Sequence, residues 1–165
     1  MIQILKIKLI TAVVISLILS VSCNPTEKYE REEAAQIQAY LDDNPDLNFE
    51  EKEPGLFYLE VITGTGELAI THDTAFVMYT GTYLNGTMFG TNVGTTDTLI
   101  FPVNEGWLIP GFDKGITYMR SGGKATFLLS SDMGYGNSGY PVPAYTPLLF
   151  DVELVKLIPG PGLRK

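Results

Sequence analysis

The chain has 165 residues, enough for one domain of ordinary size with an appendage. With 11 Lys+Arg against 19 Asp+Glu its net charge is −8, which argues against the clustered basic face that nucleic-acid binding needs. A composition of 45% hydrophobic and 18% charged residues excludes wholesale disorder, and the lone Cys23 and lone His72 exclude an intrachain disulfide, a multi-cysteine metal site and any scheme that needs two histidines.

Residues 1–22 read as a leader. Lys6 and Lys8 precede an apolar run from Leu9 to Val21, with no acid before Glu27. That run is shorter than the about 20 residues of a membrane span, so a secretory signal is expected. It ends in Leu19-Ser20-Val21-Ser22-Cys23, which resembles a bacterial lipoprotein signal with Cys23 as the lipidated residue. Leu19 stands one place further from the cysteine than in the usual pattern. The plainer alternative is an ordinary secreted protein with an incidental Cys23. Multiple acylation would anchor the chain, at about 0.8 kcal/mol per buried CH₂.

Residues 23–54 read as a helical tether and linker. Thr26 can cap a helix through Asp43, acids cluster early, and Asn44-Pro45 stops it. Tyr29, Ile37, Tyr40 and Leu41 form a narrow apolar stripe, so a solvated stalk is expected, with a dimer contact as the alternative. Asp46 to Pro54 reads as an acidic linker.

From Gly55 the pattern has period two. Strands are expected at 57–62, at 75–80 (apolar on both faces, so buried on both), at 98–101, at 124–130 and at 148–157. Asn85-Gly86 marks a hairpin whose two residues supply positive φ. One short helix is expected at 110–119, with Phe112, Ile116 and Met119 on one face. Hairpin-linked strands with one apolar-faced helix make an α+β domain, a curved antiparallel sheet packed on that helix. Residues 159–165 are left as a tail.

No nucleophile elbow, P-loop, dinucleotide fingerprint or metal-ligand run is present, and no cofactor or metal is expected. His72 reads as a surface turn, and Asp151 and Glu153 as the wet face of a strand. What stands out is the density of aromatics beside glycines: Tyr79-Thr80-Gly81, Phe89-Gly90 and Tyr135-Gly136, with Phe101, Phe112, Tyr140 and Tyr145. An apolar aromatic cup with a few polar handles suits a small ligand or a peptide.

Five segments in order resemble the FK506-binding-protein (FKBP) type of peptidyl-prolyl cis–trans isomerase. They are Val77-Met78-Tyr79-Thr80-Gly81, Asn85-Gly86-Thr87-Met88-Phe89, Leu108-Ile109-Pro110-Gly111-Phe112-Asp113-Lys114-Gly115, Met133-Gly134-Tyr135-Gly136 and Pro147-Leu148-Leu149-Phe150-Asp151-Val152-Glu153-Leu154. The resemblance covers residues 55–158. It implies an FKBP-like curved antiparallel sheet around one short helix, preceded here by the tether. It implies isomerisation of X–Pro bonds in exported proline-containing polypeptides, without covalent or metal catalysis. It places Tyr79, Phe89, Phe112, Tyr135 and Ile109 in catalytic roles and Phe101, Leu108, Tyr140 and Phe150 in substrate binding. In that scheme the proline ring sits on Phe112, and the Tyr135 hydroxyl and Ile109 N–H hold substrate carbonyls. The leader and tether look like those of lipid-anchored members of the bacterial cell envelope, at the outer membrane on its periplasmic or surface side. Two departures stand out. Phe89-Gly90 replaces the usual Phe-Asp, which weakens the expected binding of FK506-type inhibitors, and the loop 137–144 is short. The alternative is a weakly catalytic or non-catalytic module that binds proline-containing segments as a chaperone or adaptor.

Overall fold

The computed structural model describes residues 25–161. The leader, Cys23 and residues 162–165 lie outside that range. The chain divides into two units, 1–31 and 32–165. Within the first, Arg31 Nε donates to the Glu27 carbonyl over 3.1 Å. The rest of the description concerns the second.

Helix α1 (Pro25–Asp43) is followed by strands β1 (Glu50–Glu53), β2 (Leu56–Ile62), β3 (Thr74–Tyr83), β4 (Met88–Thr91) and β5 (Leu99–Pro102). Then come helix α2 (Pro110–Ile116), β6 (Gly123–Leu129), a 3-10 turn (Ser131–Met133) and β7 (Leu148–Ile158). The sheet is antiparallel, in the order β1-β2-β6-β7-β3-β4, with β5 also on β3. It is the α+β, FKBP-like fold expected above.

The inner face is built by alternation. Ala125, Phe127 and Leu129 on β6 and Leu148, Phe150, Val152 and Leu154 on β7 are buried against Phe112, Ile116 and Met119. Helix α2 ends at Ile116, and Met119 reaches the core from the turn that follows.

β3 departs from the expectation of burial on both faces. Ala75 and Val77 are buried, while Phe76 and Met78 are half-buried on the outer side. The Lys156 ammonium lies 5.5 Å from the Phe76 ring centroid and covers part of it. The hairpin differs in detail too. Gly86 carries the positive φ of 82° and Asn85 does not. The turn is closed by Gly86 N–H to the Tyr83 carbonyl and Tyr83 N–H to the Thr87 carbonyl, 2.9 Å each. Only one left-handed residue is needed in such a three-residue loop.

β3 is also split along its outer edge. Thr74 to Val77 pair with β5, and Thr80 to Thr82 with β4. Asn92 plugs the gap. Its Oδ1 accepts the Tyr79 N–H at 2.7 Å and its Nδ2 donates to the Val77 carbonyl at 3.0 Å. The side chain substitutes for the missing strand partner and holds Tyr79 in place.

The segment 46–54 is not simply a linker. Residues 50–53 pair with β2 as β1. Glu-Glu-Lys-Glu has poor strand propensity, so backbone pairing to an exposed edge makes this strand, and its charges protect the new edge. Nor is α1 solvated throughout. Ile37 is buried against Leu128 and Leu149 on the outer face of the sheet, joined by Tyr40, Leu41, Phe49, Phe57 and Leu84. The stripe is narrow because only one side chain per turn has to reach a sheet that is already apolar there.

Candidate functional site

The pocket sits between the inner face of the sheet and the start of α2. Its volume is about 270 Å³, just under the roughly 300–1,000 Å³ of drug-sized ligand sites. It therefore suits one ring-bearing residue and its neighbours.

The floor is Phe112, 3% exposed. It is locked edge-on against four rings: Phe150 at 5.2 Å, Tyr79 and Phe127 at 5.9 Å, and Phe101 at 6.1 Å between centroids. These near-perpendicular contacts fix the angle of the Phe112 ring at the bottom of the cavity. Phe89 from β4 forms a wall, 5.5 Å from Phe150 and 5.2 Å from Tyr83. It can lie this close because Gly81 has no side chain. A Cβ there would stand 2.6 Å from the Phe89 ring. Leu108 and Ile109 complete the mouth beside α2.

Two polar handles are unspent. Ile109 is the N-cap residue of α2, and among the described residues its N–H meets no acceptor. A helix N-terminus leaves such donors over. The Tyr135 hydroxyl likewise makes no hydrogen bond among the described residues. Burial, with a smaller contribution from Tyr79, raises its pKa above the ordinary 10.0. It therefore stays a neutral donor at physiological pH.

The structure gathers Tyr79, Phe89, Leu108, Ile109, Phe112, Tyr135 and Phe150 around one cavity. Phe101 and Tyr140 are placed otherwise. Phe101 is 2% exposed and supports Phe112 from beneath without lining the cavity. Tyr140 is 83% exposed at the loop tip, and its neighbours Pro141 and Val142 supply the lip instead. Leu99 and Gly90 also line the cavity. Val142 and Leu99 look like ordinary core residues in sequence. The only signal for Val142 was its place between two prolines in the short loop.

Among the described residues no carboxylate or imidazole lines this pocket. Among the described residues no group of three His, Cys, Asp or Glu could hold a metal ion. His72 pairs with Glu105 instead, and Asp151 and Glu153 bind Thr126 and Lys124 on the outer face. Gly90 leaves the mouth open. A Cβ there would meet nothing nearer than the Tyr79 hydroxyl at 3.9 Å.

An aromatic cup on a curved antiparallel sheet defines a class of domains that can hold a small ligand or a short peptide segment. The model of the FKBP-type peptidyl-prolyl cis-trans isomerase family matches residues 66–155, more than half of the chain. The chain belongs to that family of enzymes. The FKBP-type isomerase FkpA of Aeromonas hydrophila is 39% identical over 106 residues, 64% of this chain and 39% of the relative. An FK506-binding protein of Neisseria meningitidis serogroup B is 34% identical over 105 residues, 62% of this chain and 96% of the relative. The crystal structure of FkpA from Escherichia coli aligns with a TM-score of 0.70 at 27% identity, covering 92% of this chain and 73% of that one. The match thus spans only 39% of the length of the FkpA relatives.

Proposed function

We propose that the domain catalyses cis–trans isomerisation of X–Pro bonds in polypeptides, using this cavity. The observation that carries the reading is the edge-packed aromatic floor with two unspent donors at its rim. The barrier to rotation is about 18–20 kcal/mol because resonance keeps the amide planar. In the twisted transition state that resonance is reduced, and the amide dipole with it. A dry apolar cup disfavours the planar, better-solvated form relative to the twisted one. The proline ring rests on Phe112, between Tyr79 and Phe89. The Ile109 N–H and Tyr135 hydroxyl hold the carbonyls on either side of the rotating bond. No proton is transferred, which accords with a pocket lined by no acid or base.

The clients are proline-containing segments of exported proteins, and Cys23 is acylated to hold the domain at the cell envelope. The leader pattern supports this location. Among the described residues no helix is long and apolar enough to cross a membrane. Cys23→Ala is expected to abolish incorporation of a labelled fatty acid.

The test is the exchange rate of a short Leu-Pro peptide measured by NMR with wild type, Tyr135→Phe and Gly90→Asp. Wild type should accelerate exchange. Losing one neutral hydrogen bond, about 0.5–1.5 kcal/mol, should slow Tyr135→Phe by about 2–10-fold. No acceleration by any of the three, with the fold intact, refutes the catalytic reading. The open space at Gly90 favours one second reading, a tuned-down pocket that holds proline segments. It predicts activity in Gly90→Asp alone.

A further inference from the structure

We propose that Glu33 is a positioning residue for the Tyr135 loop, a role that rests on the reading of the pocket given above. Glu33 lies on α1 and is 6% exposed. One carboxylate oxygen accepts the Ser131 N–H, and the other accepts the Ser131 hydroxyl at 2.6 Å. Among the described residues no cation is among its partners. A buried carboxylate is costly unless its oxygens are bonded, and here both are committed to one residue 98 positions away.

Ser131 is the root of the loop that bears Tyr135. Its carbonyl accepts the Gly134 N–H at 2.9 Å and the Gly136 N–H at 2.8 Å. Those two residues flank Tyr135. The Gly136 carbonyl in turn takes the Tyr145 N–H at 3.1 Å. A line of directional bonds therefore runs from Glu33 through Ser131 to both sides of Tyr135, which lines the cavity.

Docking α1 does not require a carboxylate. Ile37, one turn further on, already packs that helix on the sheet. An apolar residue at position 33 would hold the helix but could not orient the backbone of Ser131. Residue 33 also lies outside the segment 66–155 that matches the family model. The isomerase fold is shared, and this brace is supplied by the chain's own N-terminal helix. In this arrangement α1 sets where the Tyr135 hydroxyl stands, and a misplacement of about 1 Å at such a group can cost up to about a hundredfold in rate.

The test uses the full chain with Glu33→Ala, Glu33→Gln and Ser131→Ala, each alone and combined with Tyr135→Phe. The readouts are kcat and KM on the Leu-Pro peptide and amide hydrogen exchange at Gly134 and Gly136. In Glu33→Ala, exchange at Gly136 should quicken at least about tenfold while the β6 and β7 amides keep their protection. The same variant should lose about tenfold in kcat with KM changed less than about twofold. Glu33→Gln retains an acceptor for the Ser131 N–H and should recover most of both. In the Tyr135→Phe background, Glu33→Ala should cost little more, because both changes remove the same placed hydroxyl. A lower melting temperature with unchanged loop exchange and unchanged kcat overturns the proposal, as does full additivity with Tyr135→Phe. If Glu33→Ala does not fold, Ser131→Ala, which deletes only the hydroxyl bond, decides by the same readouts. A wild-type chain without isomerase activity would refute the pocket reading instead, and exchange at Gly136 would still decide whether Glu33 orders the loop.

Discussion

Gly90→Asp places a carboxylate at an open position of the cavity mouth. The backbone there does not require glycine, and the added Cβ meets only the Tyr79 ring at 4.0 Å and its hydroxyl at 3.9 Å, ordinary contacts. Two bonds beyond that Cβ, a carboxylate oxygen can come within the about 2.5–3.0 Å of an O–H···O⁻ bond to Tyr79. A hydrogen bond to a charged acceptor contributes about 1.5–3 kcal/mol. Tyr79 is only half-buried, so desolvation removes part of this, leaving a gain of about 1 kcal/mol. At this domain size that is a rise of about 4 °C in melting temperature at pH 7. The new carboxyl is stabilised in its charged form, so its folded pKa is depressed. The gain is present above the unfolded value of about 3.9 and is lost as the pH falls through the folded one. The carboxylate also offers an acceptor to a hydroxyl-bearing inhibitor of the FK506 type. The corresponding 1.5–3 kcal/mol is about a 10–150-fold gain in affinity. Thermal denaturation at pH 7 and pH 3 and an inhibitor titration by calorimetry read these effects. A lower melting temperature at pH 7, or a gain that persists at pH 3, refutes the reasoning, since the effect would then come from packing rather than from the charge.

Ile37→Ala should destabilise the domain by about 2–3 kcal/mol, the low end for a large-to-small core change, because Ile37 borders half-buried side chains that can relax. Urea unfolding measures it, and a change below about 0.5 kcal/mol would mean that α1 is not docked in solution. Raised pH should weaken the fold through Tyr58, whose hydroxyl is pushed up to about 12, first by burial and then by Glu60. A tyrosine whose pKa is raised on folding contributes below its unfolded value of about 10. Stability should therefore hold to about pH 10 and fall between 10 and 12. Tyr58→Phe should lose that limb, and an unchanged alkaline profile would refute the assignment.

The pocket was legible in sequence where chemistry and backbone demand coincide. Tyr79, Phe89, Phe112 and Tyr135 each stand within two residues of a glycine, so aromatic type and local geometry point to the same cavity. Phe101 and Tyr140 carry the same residue chemistry, yet one is buried beneath Phe112 and the other projects into solvent. Period-two patterning assigns a face of a strand but not a depth on that face. In a loop there is no period to read. Val142 reaches the lip for the same reason that Tyr140 misses it, a path of the loop 137–144 that no local pattern encodes.

The sequence by itself determined the antiparallel α+β domain, the acid-free aromatic cup and the helix carrying Phe112. Those follow from alternation, from residue chemistry and from a proline at a helix start, which are local properties. Only the tertiary structure decided that Glu-Glu-Lys-Glu is a strand, that Ile37 docks its part of α1 on the outer face of the sheet and that Glu33 meets Ser131. Each of these joins residues whose local preferences are weak or opposed. A poor strand former pairs because an edge is free. A narrow apolar stripe docks because Leu128 and Leu149 wait beneath it. A carboxylate is buried because donors 98 positions away are aimed at it.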